Sequence, residues 1–375
     1  MQNKKPLIAI LANDDVDIYN FRKELIEEIN SCGYDILISC PFGDKLTRLS
    51  HIPFHYDNPV IDRRGTNIIA DINLFKHYCS LLKEYKPDVV LSYTIKPNVY
   101  AGLACQKLKI PYISNITGLG TSIMNGGILS AISLFLYRIG LRKSNCVFFQ
   151  NETNAKIMRE KKVVKDNYCL VPGSGVDIKV HQFEGYPDKN APIEFVTIGR
   201  IMRDKGINEL IEVAYKIKKD YPDTVFKLIG DFDEEEYKEI VQKAVDDGVL
   251  NYLGVLPDVH PELKKSHAII HASYHEGMAN VLLEAAATGR PVIASDVPGC
   301  RETFDDGLTG YSCKVKDADS LAEAIEKFIN TPYDKQIEMG KLGREKMEKE
   351  FDRQIVVSKY IEVINQILEE NKNVK

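Results

Sequence analysis

Two doubly wound parallel α/β domains in succession are what the sequence predicts, and three observations lead there. Short β-branched runs alternate with longer helical patterns along the whole chain, as in strands joined by crossover helices. A length of 375 residues exceeds one ordinary domain and fits two. The alternation breaks once, at residues 183–192, where two prolines, a glycine and several turn formers gather as in an interdomain linker.

In the first half the expected strands are 7–12, 35–40, 88–93, 112–116 and 146–150, with helices over 20–32, 68–84 and 98–108. Pro87 marks the end of a helix ahead of the Asp88 strand. Beyond the break, strands are expected at 194–199, 225–230, 252–255, 268–272 and 291–294, and helices at 207–219, 234–247 and 280–288. The domains are therefore read as 1–182 and 193–351 around the linker 183–192. Their ligand cleft is expected between them, at the carboxyl ends of the strands. Residues 351–369 have helical periodicity through Ile355, Val356, Tyr360, Val363, Ile364 and Ile367.

Composition narrows the function classes. Apolar residues at 44%, charged residues at 27% and a net charge of −5 describe a globular protein without the basic excess of a general nucleic-acid binder. The eight cysteines form no CxxC pair and several lie inside apolar runs, as expected of buried thiols in a reducing cytoplasm. The run 7–12 is too short for a signal peptide, and no stretch of about 18 apolar residues suggests a membrane span. A cytoplasmic protein is expected.

The chemistry concentrates in the second half. Residues 274–294 place Glu276 and Glu284 eight apart, one after a buried strand and one in the early turns of a helix starting near Asn280. Gly277 permits close approach of the backbone to a ligand. The free N–H groups of that helix start suit a diphosphate, and each carboxylate offers two acceptor oxygens to sugar hydroxyls. On spacing alone the two glutamates are better explained as surface charges near a helix dipole. Residues 198–206 shift that balance, because Gly199 allows a tight turn and Arg200 and Lys205 extend from a strand-to-helix loop, where α/β domains grip phosphate. Asp231 and Asp233 form a DxD pattern, but they are read as the acidic start of a helix. His271 and His275 lack a third ligand for zinc. No metal and no cofactor is expected.

Gly-Arg and Lys-Gly within 199–206, Glu276 and Glu284, and Gly-Arg-Pro-Val-Ile-Ala at 289–294 together resemble the retaining glycosyltransferase family 4 of the GT-B fold. The resemblance implies that Arg200 and Lys205 hold a donor diphosphate, that Glu276 meets the donor sugar and that Glu284 meets the ribose. Its catalytic set is Arg200, Lys205 and Glu276. Its donor-binding set is Gly199, Arg200, Lys205, Glu276, Gly277, Met278, Ala279, Asn280, Val281 and Glu284. It further implies a UDP-sugar as donor, a hexose or N-acetylhexosamine as the sugar moved, and a last helix, 352–375, packed on the first domain.

Residues 20–22 (Asn-Phe-Arg), 92–98 (Ser-Tyr-Thr-Ile-Lys-Pro-Asn), 115–120 (Asn-Ile-Thr-Gly-Leu-Gly), 148–151 and 172–177 resemble one subgroup of that family. Its members build capsule, O-antigen or other glycans on undecaprenyl-diphosphate sugars, which implies a lipid-linked saccharide acceptor. Asn20, Arg22, Thr94, Lys96, Thr117 and Gly118 are the acceptor-side candidates. Many family members carry a histidine near the donor sugar where this chain has Thr117, which cannot supply a titratable imidazole. Lys96 is either a diphosphate contact or an ordinary loop lysine. The run 127–143 is apolar with Arg138, Arg142 and Lys143 at one end. It reads either as an interfacial helix at the inner face of the cytoplasmic membrane or as a buried domain helix. Rival readings are a nucleotide-sugar epimerase of the same fold, a phosphorylase, or a non-catalytic sugar-nucleotide-binding subunit of a polysaccharide assembly.

Overall fold

The structure is a computed structural model that describes residues 5–62, 65, 67–120, 123 and 126–374. The chain divides into two compact units, residues 1–174 with 354–375 and residues 175–353.

The first unit is built on a parallel sheet of β1 (Leu7–Leu11), β2 (Asp35–Ser39), β3 (His55–Asp57), β4 (Val89–Tyr93), β5 (Tyr112–Ile116), β6 (Cys146–Phe149) and β7 (Tyr168–Leu170). Their spatial order is β3-β2-β1-β4-β5-β6-β7. Strand side chains alternate between faces, so β1 feeds two cores. Ile8 and Ile10 pack with α1 (Asp15–Ser31) and with Val356, Tyr360 and Ile364 of the last helix, α12 (Arg353–Val374). Leu7, Ala9 and Leu11 face α2 (Ile68–Tyr85) and α3 (Ile95–Leu108). Around β6, Val147 and Phe149 cluster with Tyr137 of α4 (Gly127–Gly140) and Met158 of α5 (Glu152–Glu160). The strand order reverses between β1 and β4, which makes their carboxyl ends a topological switch point.

The second unit repeats this architecture with β8 (Glu194–Ile198), β9 (Val225–Ile229), β10 (Asn251–Tyr252), β11 (Ala268–His271), β12 (Val292–Ser295) and β13 (Gly310–Cys313). The order is β10-β9-β8-β11-β12-β13, all parallel, with the reversal between β8 and β11. One face is covered by α6 (Ile207–Asp220), α7 (Tyr237–Asp246) and α10 (Ala318–Ile329). The other holds α8 (His260–Lys265) and α9 (Asn280–Ala287). Helix α11 (Tyr333–Lys346) runs into a π-helical turn at Met347–Phe351 just before α12.

Three expectations change. The chain leaves the first unit between Ser174 and Gly175, so the stretch 183–192 lies within the second unit. Its irregular backbone is held there by buried Arg290, which donates to the carbonyls of Gly185 (2.8 Å) and Lys264 (3.0 Å), and by Tyr186, whose hydroxyl donates to His267 O (2.9 Å). Helix α1 begins at Asp15, five residues earlier than the periodicity suggests, because the Asp14 carboxylate caps the Asp17 N–H. The acidic run after Asp231 does not open a helix. Helix α7 starts at Tyr237, and Glu234 instead accepts from the Arg203 N–H at 2.9 Å.

Candidate functional site

At the switch point of the second unit, the loop after β8 and the loop after β11 meet. The first turns through a short 3-10 segment, Arg203–Lys205, and ends at Gly206 with φ +70°. A Cβ at Gly206 would stand 2.2 Å from the Ala272 carbonyl oxygen, so only glycine lets this loop lie against the end of β11. Two bonds lock the contact. Tyr274 N–H donates to Asp204 O at 2.9 Å, and the Ser273 hydroxyl donates to the same oxygen at 3.2 Å. Tyr274 also donates its hydroxyl to Glu209 at 2.8 Å. This stitching carries Lys205 onto Glu276.

The Lys205 ammonium donates to Glu276 Oε1 in a pair whose side chains are 19% and 14% exposed. The same oxygen lies 2.9 Å from His271 Nε2, on a histidine that is 3% exposed at the last position of β11. Burial by itself would push the Glu276 carboxyl upward. Lys205 and His271 outweigh it and hold the group well below the usual carboxylate range, so it is an ionised acceptor at neutral pH. Behind it, Gly299 (φ +84°) accepts from Ala279 N–H at 2.8 Å, and a Cβ there would meet the Glu276 carbonyl oxygen at 2.7 Å.

Glu284 behaves in the opposite way. It lies on α9, where burial pushes its carboxyl up to about 7, opposed by Arg353 and reinforced by Asp258. Two carboxylates eight residues apart thus take opposite protonation tendencies from their surroundings. Between them, Met278 and Ala279 are buried, Gly277 and Val281 half-buried, and among the described residues no side chain caps α9 or places an acid in its first turn. The Oδ1 atom of Asn280 is buried without a hydrogen-bond partner among the described residues.

Arg200 stands apart from this cluster. It is exposed and paired at 3.0 Å with Asp233, because Ile201 and Phe232 bridge the ends of β8 and β9. Asp233, one half of the DxD pattern, is therefore a partner for arginine, and Asp231 accepts from Phe232 N–H. Among the described residues no group of three or more His, Cys, Asp or Glu is arranged to hold a metal. His271 and His275 do not share a strand face, since β11 ends at His271. Sequence reasoning set His271 aside; its one signal is a polar residue closing the otherwise apolar run Ala-Ile-Ile-His.

The first-unit candidates are placed differently from one another. Arg22 is an interior residue, 2% exposed. Its guanidinium lies 4.2 Å over the Tyr93 ring and Nη1 donates to the Ser174 hydroxyl at 3.1 Å, while Nε and Nη2 meet no acceptor among the described residues. Burial disfavours its charge, and Asp17, Tyr93 and Tyr360 outweigh that effect, so the group stays charged. Lys96 is a helical residue of α3, and not a loop lysine. It donates to Asp71 at 2.8 Å and Gly65 O at 3.0 Å with 10% of its side chain exposed. Thr94, Thr117 and Gly118 are half-buried beyond the ends of β4 and β5, and Asn20 is exposed on α1. Thr94 has φ +67° and ψ 171°, a region that a β-branched residue occupies only under strain of about 1–3 kcal/mol.

Helix α4 is neither wholly buried nor wholly exposed. Ile128, Leu129, Ile132 and Phe135 are exposed on one stripe, while Tyr137 is buried. Arg138 donates to the Lys161 and Lys162 carbonyls, and Arg142 and Lys143 are exposed. No helix among the described residues is long and apolar enough to cross a membrane.

Comparisons with known proteins match this architecture on both units. Residues 181–346 match the glycosyl transferases group 1 family, and residues 8–151 match the glycosyl transferase 4-like family. The chain is 24% identical over 379 residues to the N,N'-diacetylbacillosaminyl-diphospho-undecaprenol alpha-1,3-N-acetylgalactosaminyltransferase of Campylobacter jejuni, covering 96% of this chain and 99% of that one. It is 25% identical to the capsular polysaccharide biosynthesis glycosyltransferase CapM of Staphylococcus aureus, over 99% and 100% of the two chains. The crystal structure of Anabaena Alr3699/HepE in complex with UDP-glucose shares the fold, with a TM-score of 0.76 at 17% identity over 98% and 99% of the chains. The family matches and the names of these relatives together mark a sugar-transferring enzyme. The protein is a glycosyltransferase whose second half matches the group 1 family and whose first half matches the 4-like family.

Proposed function

We propose that the enzyme moves a hexose or N-acetylhexosamine, with retention, from a UDP-sugar to an undecaprenyl-diphosphate-linked saccharide in the making of a cell-surface glycan. The observation that carries this reading is the partly buried Lys205–Glu276 pair at the switch point of the second unit, beside a helix start that no side chain among the described residues caps. Lys205 and the α9 N–H groups suit the donor diphosphate. The ionised Glu276 suits the donor sugar's hydroxyls, and Glu284 the ribose. Arg200, exposed and bound to one carboxylate, has the reach to exchange Asp233 for phosphate. Neutralising the leaving diphosphate is the largest demand of the step, and these cations meet it without a metal or other cofactor. Front-face attack, with the departing phosphate taking the acceptor's proton, accounts for retention.

Support for the donor and acceptor comes from relatives. HepE was crystallised with UDP-glucose, and the Campylobacter and Staphylococcus proteins carry lipid-linked and capsular names. On the acceptor side we assign Thr94, Thr117 and Gly118, at strand ends, to contact. Arg22 and Lys96 shape that edge from behind. The apolar stripe of α4 with Arg142 and Lys143 suits a peripheral seat on anionic lipid at the inner membrane face.

The test is nucleotide release by the purified enzyme across UDP- and GDP-sugars, with and without polyprenyl-diphosphate saccharides. Release requiring one donor together with a lipid-linked acceptor is expected. Turnover of a donor to its epimer, or release only with inorganic phosphate, would replace this reading with an epimerase or a phosphorylase.

A further inference from the structure

We propose that His271 is a positioning residue that fixes the Glu276 carboxylate for the donor sugar independently of Lys205. The inference rests on the reading of this cluster as the donor-sugar site. His271 closes a strand of four buried residues, AIIH, so its ring is held by the sheet. Because Glu276 is ionised, its oxygens only accept, and the proton in the 2.9 Å contact must sit on His271 Nε2. Lys205 shares that oxygen, Oε1. Both donors end on one oxygen, and among the described residues none reaches Oε2 through a hydrogen bond. The carboxylate is therefore tied at one oxygen and presents the other.

The two ties differ in kind. An ammonium on a four-carbon stem has three rotatable donors and readily changes partner. An imidazole on a strand terminus has one donor in a fixed direction. When a donor diphosphate arrives and draws Lys205 toward its oxygens, Glu276 loses one of its two partners. His271 then keeps Oε1 in place, so Oε2 stays aimed where a sugar hydroxyl would donate. Without His271 the glutamate would follow Lys205 or rotate away, and the sugar would lose its fixed acceptor while the nucleotide kept its own contacts.

The experiment uses the full chain and the variants His271→Leu, which keeps bulk without a donor, and His271→Gln, whose amide carries an N–H at a similar reach. UDP affinity is measured by calorimetry, and kcat by UDP release with the donor–acceptor pair that the wild-type enzyme turns over. For His271→Leu we expect kcat to fall by about 10- to 100-fold, the scale of a small misplacement in a reacting complex, with UDP affinity within about threefold of wild type. His271→Gln should recover most of the lost turnover. Wild-type turnover in His271→Leu overturns the proposal, as does a parallel loss of UDP binding and turnover that glutamine fails to rescue, which would mark a packing role. If the wild-type protein binds no UDP- or GDP-sugar, the donor-site reading itself falls and takes this inference with it.

Discussion

Lys205 in the second unit and Lys96 in the first both follow a strand at a topological switch point, and both are paired with a carboxylate. The resemblance is superficial. Lys205 meets Glu276 through two loops fastened by the Tyr274 N–H and the Ser273 hydroxyl on Asp204 O, and no described residue donates to its partner's second oxygen. Lys96 binds Asp71, which also accepts from the Tyr100 hydroxyl at 2.8 Å, and a second bond from Lys96 ends on a backbone carbonyl. One arrangement keeps unused bonding capacity; the other consumes it. Arg22, under Tyr93, belongs with Lys96. The second unit thus keeps acceptor capacity beside its charged pair, whereas Arg22 and Lys96 are tied into the first unit's own packing.

That contrast fails if variants of the two halves respond alike. Lys205→Ala should lower transfer by about 10²-fold or more, the scale of one preorganised charge-stabilising group, while the protein remains folded because Glu276 keeps His271. Arg22→Ala should cost about 2–4 kcal/mol of stability in urea unfolding, as for other large buried side chains cut to alanine, with kcat of the folded fraction little changed. Lys96→Met should cost about 1–2 kcal/mol by leaving Asp71 short of a partner. A tenfold fall in transfer without loss of stability would instead make Lys96 an acceptor contact and erase the distinction.

The smallest expected effect separates the two carboxylates by pH. Glu284 has a folded value near 7, above its unfolded value, so the native state binds the extra proton between about pH 4.5 and 7. Stability therefore falls as pH rises through that window. Glu284→Gln should stabilise the protein by on the order of 1 kcal/mol at pH 8, after allowance for solvent access, and by little at pH 5. Glu276 has the opposite sign. Its folded value is depressed, so its contribution is present above the ordinary carboxylate range and is lost as pH falls through the folded value. Thermal unfolding of Glu276→Gln should show a deficit at pH 7 that narrows in acid.

Much of this was legible in the sequence because it is local. Glu276, Glu284 and the loop from Gly199 to Gly206 are single stretches whose residue types and spacing state their chemistry, and most of the longer strands follow apolar runs. What was not legible depends on strand pairing. The Arg200–Asp233 pair exists because β8 and β9 are neighbours, which no window of sequence records. His271 and His275 look like a pair at regular spacing, but the strand stops between them and only one reaches Glu276. Short strands such as β3, β7 and β10, of two or three residues, carry too little pattern to be seen. Arg22 shows the converse limit, since a motif residue carried over by resemblance can lie in the interior. The stretch 183–192 has linker composition, yet Arg290 and Tyr186 bind it to the second unit.

Calorimetric titration of UDP and of a set of UDP-sugars into wild type, Lys205→Ala and Glu276→Gln tests the central claim most directly. Lys205→Ala should weaken UDP itself by about 10-fold or more, since a phosphate contact is removed. Glu276→Gln should leave UDP within about threefold and abolish whatever affinity the preferred sugar adds. Equal UDP binding by wild type and Lys205→Ala, with the sugar's contribution intact in Glu276→Gln, would contradict the assignment of this pair to the donor.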